Sequence, residues 1–189
     1  MRLMRMMTGL LAVAVMGSVA TAQQTAPAKQ GFTLTSPAFP DGGEIPVKHT
    51  QANPAGAVSV PLQWSNAPAG TVSFVLMFHD PDVAFQKKID DILHYMVFNI
   101  PGTATSLAEG VPADANLPDG SVQPKNFRGQ PGYLGPGAPA PGPHHHYTWM
   151  LYALDTKLTL GAEATRADVE AAMNGHILGK AVFAGRFHR

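Results

Sequence analysis

The chain has 189 residues, with 13 basic side chains, 13 acidic side chains and no cysteine. The charges balance without a run of one sign, which excludes the basic surface typical of nucleic-acid-binding proteins, so we expect no nucleic-acid partner. The absence of cysteine excludes disulfides, thiolate chemistry and cysteine-ligated metal ions.

Residues 1–22 have the features of a cleavable signal peptide. Arginines precede a short apolar run, and Ala20-Thr21-Ala22 forms the small-x-small pattern that signal peptidase recognises. The apolar run is shorter than the roughly 20 residues that span a bilayer. We therefore predict a mature protein that begins at Gln23, is periplasmic or secreted, and is not an integral membrane protein. A permanent amphipathic or membrane anchor is the alternative.

Residues 23–30 are rich in Gln, Ala and Pro and are predicted to be flexible, which leaves residues 31–189 as one domain. The first half of this domain alternates short apolar runs with turn signals, a pattern that favours strands. The predicted strands are Phe32–Leu34, Val58–Trp64, Ser73–His79, His94–Ile100 and Tyr147–Leu154.

Three of these runs, Phe74–Phe78, Tyr95–Phe98 and Tyr147–Leu154, are apolar on both faces. This predicts strands at the centre of a sheet that is covered on both sides. Residues 101–143 are dense in Gly, Pro and Ala, most of all Pro131–Pro143. A linker between domains is one interpretation. Too little chain follows for a second domain, so we predict a long ordered loop.

Only the C-terminal part has a helical pattern. Thr165 and Asp168 have the spacing of a capping box, and apolar residues recur on one face from Val169 to Ile177. Gly175 weakens the pattern, so we expect a short helix packed on the sheet. Strands followed by a late helix predict a mostly β, α+β fold.

Polar side chains flank three of the predicted strands: Asp80-Pro81-Asp82, His94, and His144-His145-His146-Tyr147. Asp-Pro-Asp taken alone could be a simple turn. Residues two apart in a strand share a face, so His145 and Tyr147 point together and His146 points away. A histidine metal site is an alternative. Adjacent residues at the start of a strand cannot all converge on one ion, so we expect no metal.

Catalytic sequence patterns are absent: the chain has no Gly-x-Ser-x-Gly, His-Glu-x-x-His or phosphate-binding glycine loop. Asp80 and His145 could serve as acid and base in a hydrolase or lyase, but no serine has a nucleophile context. An aspartate beside a histidine more simply orients the ring and favours its charged form, which attracts an anion. We expect a binding pocket without enzymatic activity or cofactor, whose anion affinity falls as pH rises.

Further motifs occur in a defined order, namely Thr35-Ser36-Pro37-Ala38-Phe39, residues 61–71, Asp80-Pro81-Asp82, Asn99-Ile100-Pro101, and residues 132–147. From about Phe32 to the C-terminus the chain thereby resembles the phosphatidylethanolamine-binding protein family, in its bacterial Raf-kinase-inhibitor-like branch. The resemblance implies a large central antiparallel sheet packed with a smaller sheet, and short helices near the C-terminus. It also implies a rim pocket for phosphate, phosphorylethanolamine or acetate.

The resemblance assigns ligand-binding roles to six residues: Asp80, His94, Gly135, Gly137, His145 and Tyr147. The two glycines match a pocket wall whose backbone amides can donate to an anion. The sequence departs from the family pattern after Asp-Pro-Asp, where members usually continue with Ala-Pro. Here the segment Val83–Leu93 differs, and we expect it to remake one wall of the pocket.

The predicted function is that of an extracytoplasmic binding protein. Its partner would be a small anionic ligand, a phospholipid headgroup, or an exported protein that it regulates or inhibits. In the last case Pro131–Pro143 would be the contact surface. A protein in this compartment does not meet a cytoplasmic kinase, so direct kinase inhibition is not expected.

Overall fold

The computed structural model describes residues 31–84 and 91–189. The predicted signal peptide, the segment 23–30 and residues 85–90 lie outside the described residues. The elements in chain order are β1 (Thr33–Thr35), β2 (Gly43–Glu44), a 3-10 helix (Val47–His49), β3 (Leu62–Ser65), β4 (Ser73–Asp80), β5 (Ile92–Pro101), β6 (Ser106–Leu107), β7 (His145–Leu154), α1 (Arg166–Met173) and β8 (Ile177–Phe187).

Two sheets form the framework of the protein. The smaller sheet has the strand order β1-β3-β6, and the larger has the order β2-β8-β7-β4-β5. The long strands of the larger sheet pair antiparallel, and only the short contact between β2 and β8 is parallel. The predicted mostly β, α+β fold is therefore confirmed, with α1 as the helix near the C-terminus in the described part of the chain.

Strand β4 lies between two apolar layers, and all eight of its residues are buried. Its side chains alternate between the two faces of the sheet, as strand geometry requires. Phe74 and Phe78 belong to the core cluster that includes Trp64 of the smaller sheet. Met77 belongs to the cluster on the other face, which includes Val169 of α1. The central position predicted for this strand is correct.

The same prediction is wrong for Tyr95–Phe98, because β5 is the last strand of the larger sheet. The run is nevertheless buried, since the long loop after β6 covers its outer edge. Phe98 exchanges backbone hydrogen bonds of 3.0 and 2.9 Å with Val122, and the Leu134 amide donates to the His94 carbonyl at 2.9 Å. An apolar run indicates that a segment is buried but not what covers it. In β5 a loop covers the edge where we expected a neighbouring strand.

Strand β7 is central, but only one of its faces is fully covered. Tyr147, Trp149 and Leu151 are buried, whereas Thr148 and Met150 are half-exposed. The expected strand Val58–Trp64 begins only at Leu62. Pro61 precedes it and has no amide hydrogen for a ladder bond, which explains the late start.

The capping box predicted before α1 is present: the Thr165 hydroxyl accepts from the Asp168 amide, and the Asp168 carboxylate accepts from the Thr165 amide. The helical pattern expected to continue to Ile177 is wrong, because Gly175 adopts a φ of +85° and ends it. Strand β8, which the sequence analysis missed, follows and pairs with β7. Among the described residues, no helix combines the length and apolar character needed to cross a membrane.

Candidate functional site

Antiparallel pairing brings the predicted site residues together. Strand β4 runs antiparallel to both β5 and β7, so its last residue lies beside the first residues of those two strands. Asp80 is the last residue of β4, His145 is the first of β7, and His94 lies near the start of β5. These three residues and Tyr147 therefore meet at one edge of the larger sheet.

Asp80 and His145 form a hydrogen-bonded pair. The ring Nδ1 of His145 lies 2.7 Å from Oδ2 of Asp80, whose side chain is almost completely buried. The other carboxylate oxygen accepts the Asp82 backbone amide at 3.0 Å, which is the turn expected of Asp-Pro-Asp. The carboxylate can only accept, so Nδ1 of His145 carries the hydrogen and Nε2 is the free position.

His94 is 3% exposed and has a different partner, the backbone carbonyl of Leu134, which lies 2.8 Å from Nδ1. A carbonyl only accepts, so Nδ1 carries the hydrogen. Burial lowers the pKa of His94, which keeps the ring neutral near pH 7. Its Nε2 atom is then an acceptor, and it has no hydrogen-bond partner among the described residues.

The hydroxyl of Tyr147 accepts two backbone hydrogen bonds, from Gly137 at 3.2 Å and from Ala138 at 3.1 Å. Burial, followed by the negative charge of Asp80, raises the pKa of Tyr147 to about 12. The hydroxyl therefore stays protonated at physiological pH. Since its oxygen is already accepting, the hydroxyl can still donate one hydrogen, and the neighbouring Asp80 carboxylate is one acceptor for it.

These residues line a cavity of about 210 Å³ at the sheet edge. Arg128, which comes from the long loop, is the one lysine or arginine among the described lining residues, and its guanidinium donates to the Gln51 side chain at 2.7 Å. The complete lining is Gln51, Asp80, Val83, Ile92, His94, Phe127, Arg128, Leu134, Gly137, Ala138, Pro139, His145 and Tyr147.

The two predicted glycines have different positions. Gly137 lines the cavity, but its amide already donates to Tyr147. Gly135 lines a neighbouring cleft, and its carbonyl accepts from Gln51 at 2.8 Å. A Cβ atom on Gly135 would lie 2.8 Å from the His49 carbonyl oxygen, so this backbone needs glycine for close packing. Gly137 therefore forms part of the cavity wall, whereas Gly135 belongs to the closely packed backbone of the neighbouring cleft.

The three consecutive histidines have separate surroundings. The ring of His144 lies 4.0 Å from the ring of His188, whereas His145 bonds Asp80. His146 bonds Asp82, with Nδ1 3.0 Å from the carboxylate, and points away from the cavity. Within residues 31–84 and 91–189, no group of three or more histidine or carboxylate side chains has a metal-binding arrangement.

Sequence reasoning missed Arg128, Gln51, Phe127 and Leu134, which all come from segments outside the site strands. Their sequence separation from the site strands follows no pattern, because the loops that carry them reach the cavity only through hydrogen bonds that form in the folded protein. Val83 and Ile92 do line the cavity, at the two ends of the segment expected to remake its wall. The middle of that segment, residues 85–90, lies outside the described residues.

Comparison with known proteins places this geometry in context. Residues 35–188 match the family model described as phosphatidylethanolamine-binding protein. A UPF0098 protein of Methanothermobacter thermautotrophicus is 41% identical over 158 residues, which are 84% of this chain and 99% of the relative. A Mycobacterium tuberculosis relative named "Putative lipoprotein LppC" is 36% identical over 86% of this chain and 75% of its own length.

A solved structure has the same fold. The crystal structure of Escherichia coli YbcL, described as a new member of the mammalian PEBP family, superposes with a TM-score of 0.76. The alignment covers 85% of this chain and 99% of YbcL at 28% sequence identity. The match therefore extends over most of this chain and almost all of YbcL.

Proposed function

Because this chain belongs to the phosphatidylethanolamine-binding protein family, we propose that its cavity binds a small anionic group such as phosphate or phosphorylethanolamine and catalyses no reaction. The observation that carries the proposal is the convergence of three groups on one cavity: the Arg128 guanidinium, the Tyr147 hydroxyl and the His145 ring. A cation and two directed hydrogen-bond positions are what a phosphate-type anion requires.

Each of these groups is held in place by the protein. Two backbone amides fix the Tyr147 oxygen, and Asp80 fixes the His145 ring so that Nε2 is its free position. Gln51 holds Arg128 at the mouth of the cavity through a 2.7 Å hydrogen bond. Groups that are already ordered lose little conformational entropy when a ligand binds, which favours affinity for a small anion.

The Asp80 carboxylate is negative, yet it supports the binding of an anion. Its side chain is nearly inaccessible, its two oxygens accept from His145 and from the Asp82 amide, and the Tyr147 hydroxyl is a further partner. When His145 is protonated, Nε2–H donates to the ligand while Asp80 balances the charge of the ring. The carboxylate therefore acts through the histidine that it orients.

A hydrolase or lyase that uses His145 and Asp80 as base and acid is the second candidate, favoured by their 2.7 Å hydrogen bond. The cavity gives it little support. Among the described lining residues none is serine, threonine, cysteine or lysine, so an enzyme would have to use a group such as His145, whose Nε2 is free, as its nucleophile or base. Turnover of p-nitrophenyl phosphate that is lost in the His145→Ala variant would favour the enzyme over the binding protein.

We further propose that the protein works outside the cytoplasm, where its ligand is a free anion, a phospholipid headgroup or a group on an exported protein. The predicted signal peptide and the lipoprotein name of the mycobacterial relative support an exported form. Fractionation of cells that produce the full chain, followed by N-terminal sequencing, tests this. A cytoplasmic product that begins at Met1 would contradict it.

Native mass spectrometry with phosphate and with phosphorylethanolamine tests the pocket. We expect one anion to remain bound per protein chain, and Arg128→Gln to weaken its retention. Lys125→Gln is the matched control, because Lys125 is an exposed cation of the same loop that pairs with Glu163 and does not line the cavity. Equal loss of ligand in both variants would show that net charge, and not the pocket, retains the anion.

A further inference from the structure

We infer, resting on the anion pocket proposed above, that the cleft beside the cavity binds a second anionic group. The ligand is then a small molecule that carries two anionic groups on a short linker, one for each space. The cleft has a volume of about 310 Å³ and is lined by two arginines, Arg128 and Arg189. Its described lining residues include no carboxylate, so the cleft has a net positive charge.

The cleft and the cavity adjoin each other. Arg128, Gln51 and Leu134 line both spaces. In the backbone that follows Leu134, Gly135 lines the cleft and Gly137 lines the cavity. The linker of a ligand whose first group is bound in the cavity therefore passes Arg128 as it enters the cleft.

Arg128 is held at the junction of the two spaces. Its backbone amide donates to the Asn126 side chain at 2.9 Å, and its guanidinium donates to the Gln51 side chain at 2.7 Å. Gln51 is fixed in turn, because its amide nitrogen donates to the Gly135 carbonyl at 2.8 Å. A guanidinium has several N–H donors in a planar fork, and those not used by Gln51 can bond oxygens of both anionic groups.

Arg189 supplies the second positive charge of the cleft. Its backbone amide donates at 3.3 Å to the carbonyl of Ala138, and the amide of Ala138 donates to the Tyr147 hydroxyl in the cavity. The backbone at Arg189 is thereby attached to the cavity wall, but its side chain lines the cleft and not the cavity. A group bound in the cavity alone therefore leaves Arg189 without a ligand contact.

The two arginines differ from a nearby cation in having no acidic partner. Lys48, whose carbonyl accepts from the cleft residue Asn53, pairs with Glu109 at 2.7 Å. In the described part of the chain, no carboxylate forms an ion pair with Arg128 or Arg189. Two cations that line one cleft repel each other, and an anion bound between them offsets this repulsion. A ligand with two anionic groups therefore uses charges that a ligand with one group leaves unpaired.

Propanediol monophosphate and propanediol bisphosphate test the inference on the unaltered protein, because they share one linker and differ only in the second anionic group. Isothermal titration should show the bisphosphate binding about tenfold more tightly, which is well above the doubling that two equivalent phosphates produce. The expected gain is at the low end for charge-assisted hydrogen bonds, because the Arg128 and Arg189 side chains are exposed to solvent.

Arg189→Gln should remove most of the preference for the bisphosphate and leave the affinity for the monophosphate unchanged, with folding checked by thermal melting. Arg186→Gln is the matched control, because it removes the same charge from an exposed position of β8 that does not line the cleft. Equal affinities for both probes in the unaltered protein, a preference that survives in Arg189→Gln, or an equal loss in both variants would overturn the inference and leave the anion pocket intact. Binding of neither probe would overturn the proposed function as well.

Discussion

Two aspartate–histidine pairs lie on opposite faces of the larger sheet, and adjacent residues of β4 contribute to both. Asp80 pairs with His145 beside the cavity. On the other face, His79 pairs with Asp91, whose second oxygen accepts from Arg166 at the start of α1. The pairs contain the same chemical groups, but the first has a free ring nitrogen that faces a cavity and the second is closed by a cation.

The closed pair has a structural role. Burial alone would raise the pKa of Asp91, but hydrogen bonds and charges from His79 and Arg166 hold it below its ordinary value. Arg166 also bonds Glu170 within the helix at 2.7 Å. The network fastens α1 to the sheet through ionic hydrogen bonds. The environment of a pair, and not its composition, thus separates a binding group from a structural one.

The largest effect is expected from removing the open pair's histidine. His145→Ala removes a charge-assisted hydrogen bond, so affinity for phosphorylethanolamine should fall about ten- to a hundredfold, equivalent to roughly 1.5–3 kcal/mol. Isothermal titration measures this. His146→Ala is the matched control, because that ring bonds Asp82 outside the cavity. A similar loss in both variants would show that the strand end, and not the pocket, had been damaged.

Opening the closed pair should affect stability and leave binding unchanged. Arg166→Met removes the cation that neutralises Asp91, and we expect the free energy of unfolding to fall by about 1–2 kcal/mol. This is less than for a fully buried pair, because the Arg166 side chain is partly exposed. Urea denaturation measures the change, with Arg186→Met on the exposed face of β8 as control. A weakened anion affinity would show that the two faces are coupled.

Neutralising Asp80 tests whether the open pair acts through its histidine. Asp80→Asn should weaken phosphate binding by up to about tenfold, equivalent to about 1.4 kcal/mol, although it removes a negative charge from an anion site. The reason is that the amide orients His145 less well and does not balance its positive charge. Asp82→Asn is the control, since this neighbour bonds His146. Tighter binding by Asp80→Asn would mean that the carboxylate merely repels the ligand.

The smallest effect concerns imidazoles that bond a carbonyl instead of a carboxylate. Burial lowers the pKa of His94 and of His49, so the unfolded chain binds more protons than the folded one below about pH 6.5. Their contribution to stability is present above that pH and is lost as the solution is acidified. Urea denaturation at pH 7.5 and at about pH 5.5 should show lower stability at the acid pH. The opposite slope would contradict buried neutral rings.

The site could be predicted to the extent that it follows strand geometry. Asp80, His94, His145 and Tyr147 are recognisable as polar residues at strand ends, and antiparallel pairing brings them to one edge. The edge position of β5 could not be predicted, because a loop and a strand bury an apolar run equally well. Strand β8 was missed because its outer face, with Lys180 and Arg186, resembles the exposed side of a helix as much as that of a strand.

The local sequence by itself determines the strands β4 and β7, the turn at Asp80 and the capping box of α1. These features depend on neighbouring residues, so periodicity and side-chain type are enough to find them. Tertiary structure alone decided the tautomer of His94, the placement of Arg128 at the cavity, and which aspartate–histidine pair stays open. Each depends on a partner that is distant in the chain: Leu134, Gln51 and Arg166. No local pattern specifies such contacts, because they form only when separate segments pack together.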